Sequence, residues 1–139
     1  MRERSRARSW ALQVLYAWEA RGGAVAPEAV LQDFLEERRI APHSRDYLRR
    51  LVGTVADHRE EVDRAVQQAL TNWRLERLAA IDRNILRLAA AEMLFIEEVP
   101  PRVSIQEAIV LAEKYGTAES PRFVNGVLDA LLARLEGRA

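Results

Sequence analysis

The chain has 139 residues, 49% hydrophobic and 30% charged, and its formal net charge is zero. This composition is typical of one globular domain with a sizeable core and excludes a disordered chain. The lack of cysteine excludes disulfides and cysteine-based zinc sites and fits a reducing compartment. No apolar run approaches the roughly 20 residues that span a bilayer, and the N-terminus lacks a signal-peptide pattern, so we expect a cytoplasmic protein.

Apolar residues recur at helical spacing through the first half of the chain. The first predicted helix ends at Gly22-Gly23, and a second begins at Pro27. A third follows, with Ser44 as its predicted N-cap residue. The apolar pattern over residues 45–70 fits either one long helix or two helices that meet near Asp57-His58.

The second half begins with a predicted turn in which Trp73 covers the core. The segment 80–96 is the most apolar of the predicted helices, which indicates a central position. Ser104 and Glu107 have the spacing of a capping box, so the next helix is predicted to begin there.

The last predicted helix covers about residues 121–136, after Gly116 ends the helix before it. Gly126 lies inside this last helix, where glycine costs about 1 kcal/mol, so we expect it to permit a close backbone approach. Short loops and the lack of any strand pattern predict an all-α fold, a compact helical bundle of about seven helices.

Charge is distributed unevenly along the chain. Residues 1–8 hold four Arg and one Glu, a net of +3, whereas residues 9–139 hold 17 basic and 20 acidic groups, a net of −3. A basic N-terminal arm (residues 1–8) on a mildly acidic body favours contact with a polyanion, and the alternative is a solvated terminus. We treat residues 1–139 as a single domain.

The sequence contains little that indicates catalysis. His43 and His58 are its only histidines, and they lack metal-ligand spacing. There is no glycine-rich phosphate loop and no nucleophile elbow. The paired glutamates are sequence neighbours, which diverge by about 100° on a helix. We therefore expect no enzyme, no metal and no cofactor.

Four sequence blocks, in order, carry a family resemblance. They are Arg6-Ala7-Arg8 with Ala11-Leu12-Gln13-Val14-Leu15-Tyr16, then Asp82-Arg83-Asn84-Ile85-Leu86-Arg87-Leu88-Ala89 with Glu92-Met93-Leu94, then Val103-Ser104-Ile105-Gln106-Glu107-Ala108, then Phe123-Val124-Asn125-Gly126-Val127-Leu128-Asp129. From about residue 4 to 132 the chain resembles the NusB family of bacterial transcription antitermination factors. The resemblance implies two small helical bundles packed around a central helix.

The resemblance also implies binding of the single-stranded boxA element of nascent RNA. The implied RNA-binding residues are Arg4, Arg6, Arg8, Glu119, Arg122 and Phe123. Arginines neutralise phosphates and an aromatic ring gives a base a stacking surface, which fits this assignment. Phe123 fits ordinary packing beneath the 116–121 loop equally well. Glu119 borders the implied surface and would temper its affinity.

A protein partner is implied as well. NusB proteins act with NusE, a small-subunit ribosomal protein, in an antitermination complex on RNA polymerase, chiefly during transcription of ribosomal RNA. The partner surface maps to Tyr16 and Asp82. From the residues alone, Tyr16 could be a core-edge residue with its hydroxyl in water. Asp82 could pair with Arg83 or Arg87 at the surface.

Two further alternatives stay open. The first is a homodimeric interaction module, because some family members form homodimers that cover the RNA-binding face. The other is a stand-alone RNA-binding domain, related to the domain that occurs fused to ribosomal-RNA cytosine methyltransferases. Because 139 residues leave no room for a cofactor-binding α/β domain, we expect a free factor. The chain departs from the family pattern at Gln106, where Asn is common, and at Glu113, where Lys is frequent.

Overall fold

Seven α-helices make up most of residues 2–137, the part of the chain that the computed structural model describes. They are α1 (Arg2–Ala20), α2 (Pro27–Glu37), α3 (Pro42–Asp57), α4 (Arg59–Ala69), α5 (Ala80–Phe95), α6 (Pro101–Tyr115) and α7 (Ser120–Leu135). A one-turn 3-10 helix, Leu75–Arg77, lies between α4 and α5. No β-strand occurs between residues 2 and 137, and the predicted all-α bundle of about seven helices is confirmed.

Proline and glycine explain several helix boundaries. Pro27, Pro42 and Pro101 are the first residues of α2, α3 and α6. The fixed φ of proline suits this position, and its missing N–H would have no acceptor within the helix there. After α1, Gly22 and Gly23 adopt φ values of 84° and 68°, which residues with a side chain rarely adopt.

Helix α5 is the centre of the molecule. Helices α1, α2 and α3 pack against one another, and α4, α6 and α7 form a second group. Helix α5 contacts α1 and α3 on one side and α4, α6 and α7 on the other. Residues 84–92 are all buried, so the central position predicted for this segment is confirmed. Among the described residues, no helix has both the length and the apolar character needed to cross a membrane.

Two predicted helix caps are wrong, because both serines lie inside helices. Ser44 lies in the first turn of α3, and its hydroxyl donates to the carbonyl oxygen of Glu3 at 3.2 Å. Ser104 lies in the first turn of α6, and its hydroxyl donates to Glu92 at 2.6 Å. Both hydroxyls therefore serve contacts between helices, which local spacing does not reveal.

The segment between residues 45 and 70 forms two helices, as one of the two alternatives predicted. Helix α3 ends at Asp57, and the ring of His58 stacks on Phe95, with centroids 3.9 Å apart. The expectation that Trp73 covers the core is wrong, since this residue is 56% exposed. Leu75 is buried instead. The side-chain amide of Gln67 donates to the carbonyl oxygen of Trp73 and accepts from the backbone N–H of Leu75.

A close backbone approach occurs at Gly116, not at Gly126. A Cβ on Gly116 would lie 2.5 Å from Cβ and Oγ of Ser120 and 2.9 Å from the carbonyl oxygen of Ala112. Such contacts force the backbone to shift. Around Gly126 nothing lies within 4 Å of the equivalent position, so the expectation of a close approach there is wrong.

These two glycines should respond oppositely to substitution. Gly116→Ala should lower the free energy of unfolding by about 1–3 kcal/mol through overpacking. Gly126→Ala should raise it by about 0.5–1 kcal/mol, because alanine is the better helix former and meets open space. Urea unfolding followed by circular dichroism measures both. Equal effects of the two substitutions would contradict the assigned close approach.

Candidate functional site

The side chain of Arg8 is buried rather than offered to a ligand. It is 4% exposed, its Nε donates to Glu92 Oε2 at 2.8 Å, and its Nη1 donates to Glu107 Oε1 at 3.0 Å. A phosphate could reach this guanidinium only by breaking both ion pairs. Direct contact between Arg8 and RNA stays a prediction, and it would require both of these ion pairs to break.

Arg8 belongs to a buried polar network centred on Glu92. The carboxylate of Glu92 also accepts hydrogen bonds from the Tyr47 hydroxyl at 2.5 Å and the Ser104 hydroxyl at 2.6 Å. Burial and the hydrogen bond to Glu92 raise the pKa of Tyr47 well above its ordinary value, so its hydroxyl keeps its proton and donates. The network joins α1, α3, α5 and α6.

The other basic residues of the first turns remain accessible. Of the predicted basic arm, residues 1–8, Met1 lies outside the described residues, and residues 2–8 form the first turns of α1. The guanidinium of Arg4 lies 4.6 Å from the centre of the Tyr47 ring, and its side chain is 39% exposed. Arg6 is exposed and lines a groove between α1 and α6. The residues lining this α1–α6 groove include Ser5, Arg6, Ser9, Trp10, Gln13, Val110, Lys114 and Tyr115.

The α1–α6 groove contains groups that the sequence analysis did not assign to a site. Trp10 and Tyr115 are aromatic, and Lys114 adds a cation 5.2 Å from the centre of the Tyr115 ring. The hydroxyls of Ser9 and Tyr115 are 2.5 Å apart and join the two walls. The adjacent pair Lys114-Tyr115 resembles Arg122-Phe123 in type, and this signal could have identified it.

The remaining predicted RNA-binding residues lie at the start of α7. Glu119 is the N-cap residue of α7, and both Glu119 and Arg122 are exposed. Phe123 is half-buried, and part of its ring packs against the core. Packing thus accounts for part of this side chain, and the rest faces solvent. Helix α6 packs against both α1 and α7, so it lies between the two groups of predicted residues.

One of the two predicted partner residues, Tyr16, lies along a second, apolar groove. Tyr16 is 45% exposed and lines this groove. Its other lining residues are Leu12, Gln13, Ala17, Phe34, Ile81 and Tyr115. Gln13 and Tyr115 also line the α1–α6 groove, so the two grooves share a boundary.

Asp82 follows Ile81 in the first turn of α5. It does not form the ion pair with Arg83 or Arg87 that was the alternative to a partner contact. Its Oδ1 is buried and has no hydrogen-bond partner among the described residues. Arg83 and Arg87 bond instead to Glu19. A buried carboxylate oxygen without a donor is unusual in a folded protein.

Near the apolar groove, Glu19 of α1 binds two arginines of α5. Arg83 donates to its carboxylate at 2.6 and 2.8 Å, and Arg87 donates at 2.5 Å. Arg83 also donates to the carbonyl oxygen of Leu78 at 2.5 Å, and Arg87 bonds Asp63 on α4. Burial alone would raise the pKa of Glu19, but the hydrogen bonds from the two arginines outweigh it, and the pKa is lowered.

No group of three or more histidine or acidic side chains within residues 2–137 is arranged to hold a metal ion.

Comparison with known proteins gives a clear family. The sequence model of the NusB family matches residues 5–133. The chain belongs to the NusB family. Members of this family are transcription antitermination factors without enzymatic activity, so the prediction that the chain is not an enzyme is confirmed.

Individual relatives agree with this assignment. The chain is 47% identical over 135 residues to the transcription antitermination protein NusB of Sorangium cellulosum (strain So ce56), covering 97% of this chain and 95% of the relative. The NusB structure from T. maritima has 35% identity and a TM-score of 0.84, covering 92% and 89% of the two chains. A solved complex of the antitermination factors NusB and NusE with dsRNA contains a chain with 32% identity and a TM-score of 0.85, covering 96% and 98%.

The lowered pKa of Glu19 predicts how its contribution to stability changes with pH. A carboxyl group whose pKa is lower in the folded state stabilises the fold above its unfolded pKa, and this stabilisation is lost as pH falls through the folded pKa. At pH 7, Glu19→Gln should lower the free energy of unfolding by about 2 kcal/mol, because it leaves the partly buried Arg83 without its anion and leaves Arg87 with Asp63 alone.

The difference between Glu19→Gln and the unmodified protein should shrink as pH falls below about 4.5, the ordinary pKa of a glutamate. Urea unfolding at pH 7 and at pH 3.5 measures it, with the exposed Glu113→Gln as the matched control. A difference in the free energy of unfolding that stays constant between these pH values would show that ionisation of Glu19 does not contribute to stability.

Proposed function

We propose that this protein is a cytoplasmic antitermination factor that binds single-stranded boxA RNA together with NusE. In this proposal the pair promotes assembly of an antitermination complex on RNA polymerase in ribosomal RNA operons. Family membership supports the general role, and a solved relative was captured with both NusE and dsRNA. The observation that carries the proposal is the boundary that two grooves share at Gln13 and Tyr115. The α1–α6 groove contains basic, acidic and aromatic side chains, and the other groove is apolar.

The RNA surface in this proposal covers the first turns of α1 and the start of α7. Arg4, Arg6 and Arg122 supply charges for phosphates, and the solvent-facing part of Phe123 supplies a stacking surface. Glu119 borders the surface and limits its affinity. Arg8 holds α1 in place through its buried ion pairs and reaches RNA only if they break.

The NusE surface consists of Tyr16, Asp82 and the apolar groove beside them. A partner segment that places an apolar side chain in the groove and a cationic group beside the partly buried carboxylate of Asp82 would match both features. Because the two grooves adjoin, RNA and NusE can be bound side by side. Each contact then raises the effective concentration for the other.

Phe123→Leu tests the RNA surface while keeping an apolar side chain against the core. Loss of one stacked base costs about 1–3 kcal/mol, so RNA affinity should fall about 5- to 150-fold. Fluorescence anisotropy with a boxA-type oligomer, a scrambled oligomer and a salt series measures this, with and without NusE. NusE affinity and the helical circular dichroism signal should not change.

An unchanged RNA affinity for Phe123→Leu would show that the ring only packs. If the unmodified protein binds both oligomers equally and without help from NusE, the boxA proposal fails. Sedimentation at several concentrations would then test whether a homodimer covers the Phe123 face.

Asp82→Lys tests the partner surface. Reversing the charge of this partly buried carboxylate should lower NusE affinity at least about tenfold, because two like charges that face each other across an interface repel. Isothermal titration with NusE measures the loss, and Asp129→Lys, the same charge change at an exposed position of α7, is the control. Normal NusE binding by Asp82→Lys would remove this residue from the interface.

A further inference from the structure

A second arginine lies beside Arg4, and the same carboxylate holds both. Glu98 lies in the connection between α5 and α6. Both terminal nitrogens of Arg50 donate to its carboxylate, with 2.9 Å between Nη2 and Oε1, and Arg4 Nη2 lies 3.9 Å from Oε2. The three side chains are 39% to 45% exposed. An accessible anion therefore occupies two accessible guanidinium groups.

We propose that Arg50 is a further phosphate-binding residue of the RNA surface, and that Glu98 occupies Arg4 and Arg50 until an RNA phosphate displaces it. This inference rests on the RNA-binding function proposed above. A guanidinium group binds carboxylate and phosphate with the same forked geometry, so one anion can replace the other. Exposed ion pairs are weak because water screens them, and a polyanion can therefore displace the carboxylate.

Glu98 is the carboxylate that pairs with both Arg4 and Arg50, so its charge determines how available they are to a phosphate. The groove beside them is lined by Glu3, Arg4, Pro42, His43, Asp46, Tyr47 and Arg50. Asp46 has a cation of its own, Arg49, at 3.6 Å. The formal charge of Arg4, Arg50 and Glu98 together is +1, and it becomes +2 when Glu98 is neutral. A single substitution thus doubles the net positive charge of these three side chains.

The same contacts keep Glu98 ionised. The hydrogen bond from Arg50 lowers the pKa of the Glu98 carboxyl to about 2. Acidification within the range where the protein is assayed would not release the two arginines. Substitution is therefore the appropriate test, and Glu98→Gln keeps the size and shape of the side chain.

The experiment compares Glu98→Gln with Glu97→Gln, which removes the same charge from the adjacent, exposed residue. Anisotropy with a boxA-type oligomer at low salt should show about three- to tenfold tighter binding for Glu98→Gln and a smaller change for Glu97→Gln. The log–log salt slope for Glu98→Gln should steepen by up to about 0.7, the value for one added phosphate contact on a single strand.

Arg50→Ala identifies the residue responsible. In the double variant Glu98→Gln/Arg50→Ala, most of the gain in RNA affinity should disappear, while NusE affinity stays at the level of the unmodified protein and shows that the fold is intact. Equal gains for Glu98→Gln and Glu97→Gln, or a gain that survives Arg50→Ala, would overturn this inference alone. Failure of the unmodified protein to bind RNA would overturn the proposed function and this inference with it.

Discussion

The arrangement of the helices depends on one buried carboxylate, that of Glu92. It lies in α5 and accepts hydrogen bonds from Arg8, Tyr47 and Ser104, which belong to α1, α3 and α6. Burying a charge costs several kcal/mol, and good geometry with a full set of hydrogen bonds is needed to offset that cost. Apolar residues of similar volume would often stabilise such a site equally well. The network therefore mainly determines how the four helices are arranged, because its hydrogen bonds all form together in this arrangement.

A second charged cluster fixes the other end of α1. Glu19 lies about three helical turns beyond Arg8 and binds Arg83 and Arg87 of α5. Helix α1 is thus attached to α5 by ion pairs near both of its ends. The side of α1 that these contacts leave open carries Arg6 and Tyr16, one in each groove. Both proposed surfaces therefore depend on how α1 sits on α5.

Local sequence patterns predicted the helices well but not the polar contacts between them. Apolar periodicity identified 80–96 as central, because a helix buried on all sides needs few polar positions. The burial of Arg8 was not predicted because a cluster of arginines near a terminus is usually solvated, and its partner Glu92 is 84 residues away. The two serines are not caps for a related reason, since Ser44 bonds Glu3 of α1 and Ser104 bonds Glu92 of α5. Such pairings arise from tertiary packing, which one sequence does not display.

The formal net charge of zero limits how strongly this chain attracts a polyanion. Arg8, Arg83 and Arg87 hold carboxylates within the fold, so their charges are already paired. The proposed RNA surface then has few cations, and few counterions are released when it binds. A partner bound next to the RNA adds affinity without adding charge, because it raises the effective concentration of each contact. On this argument, tight RNA binding depends on the second groove as much as on the arginines of the first.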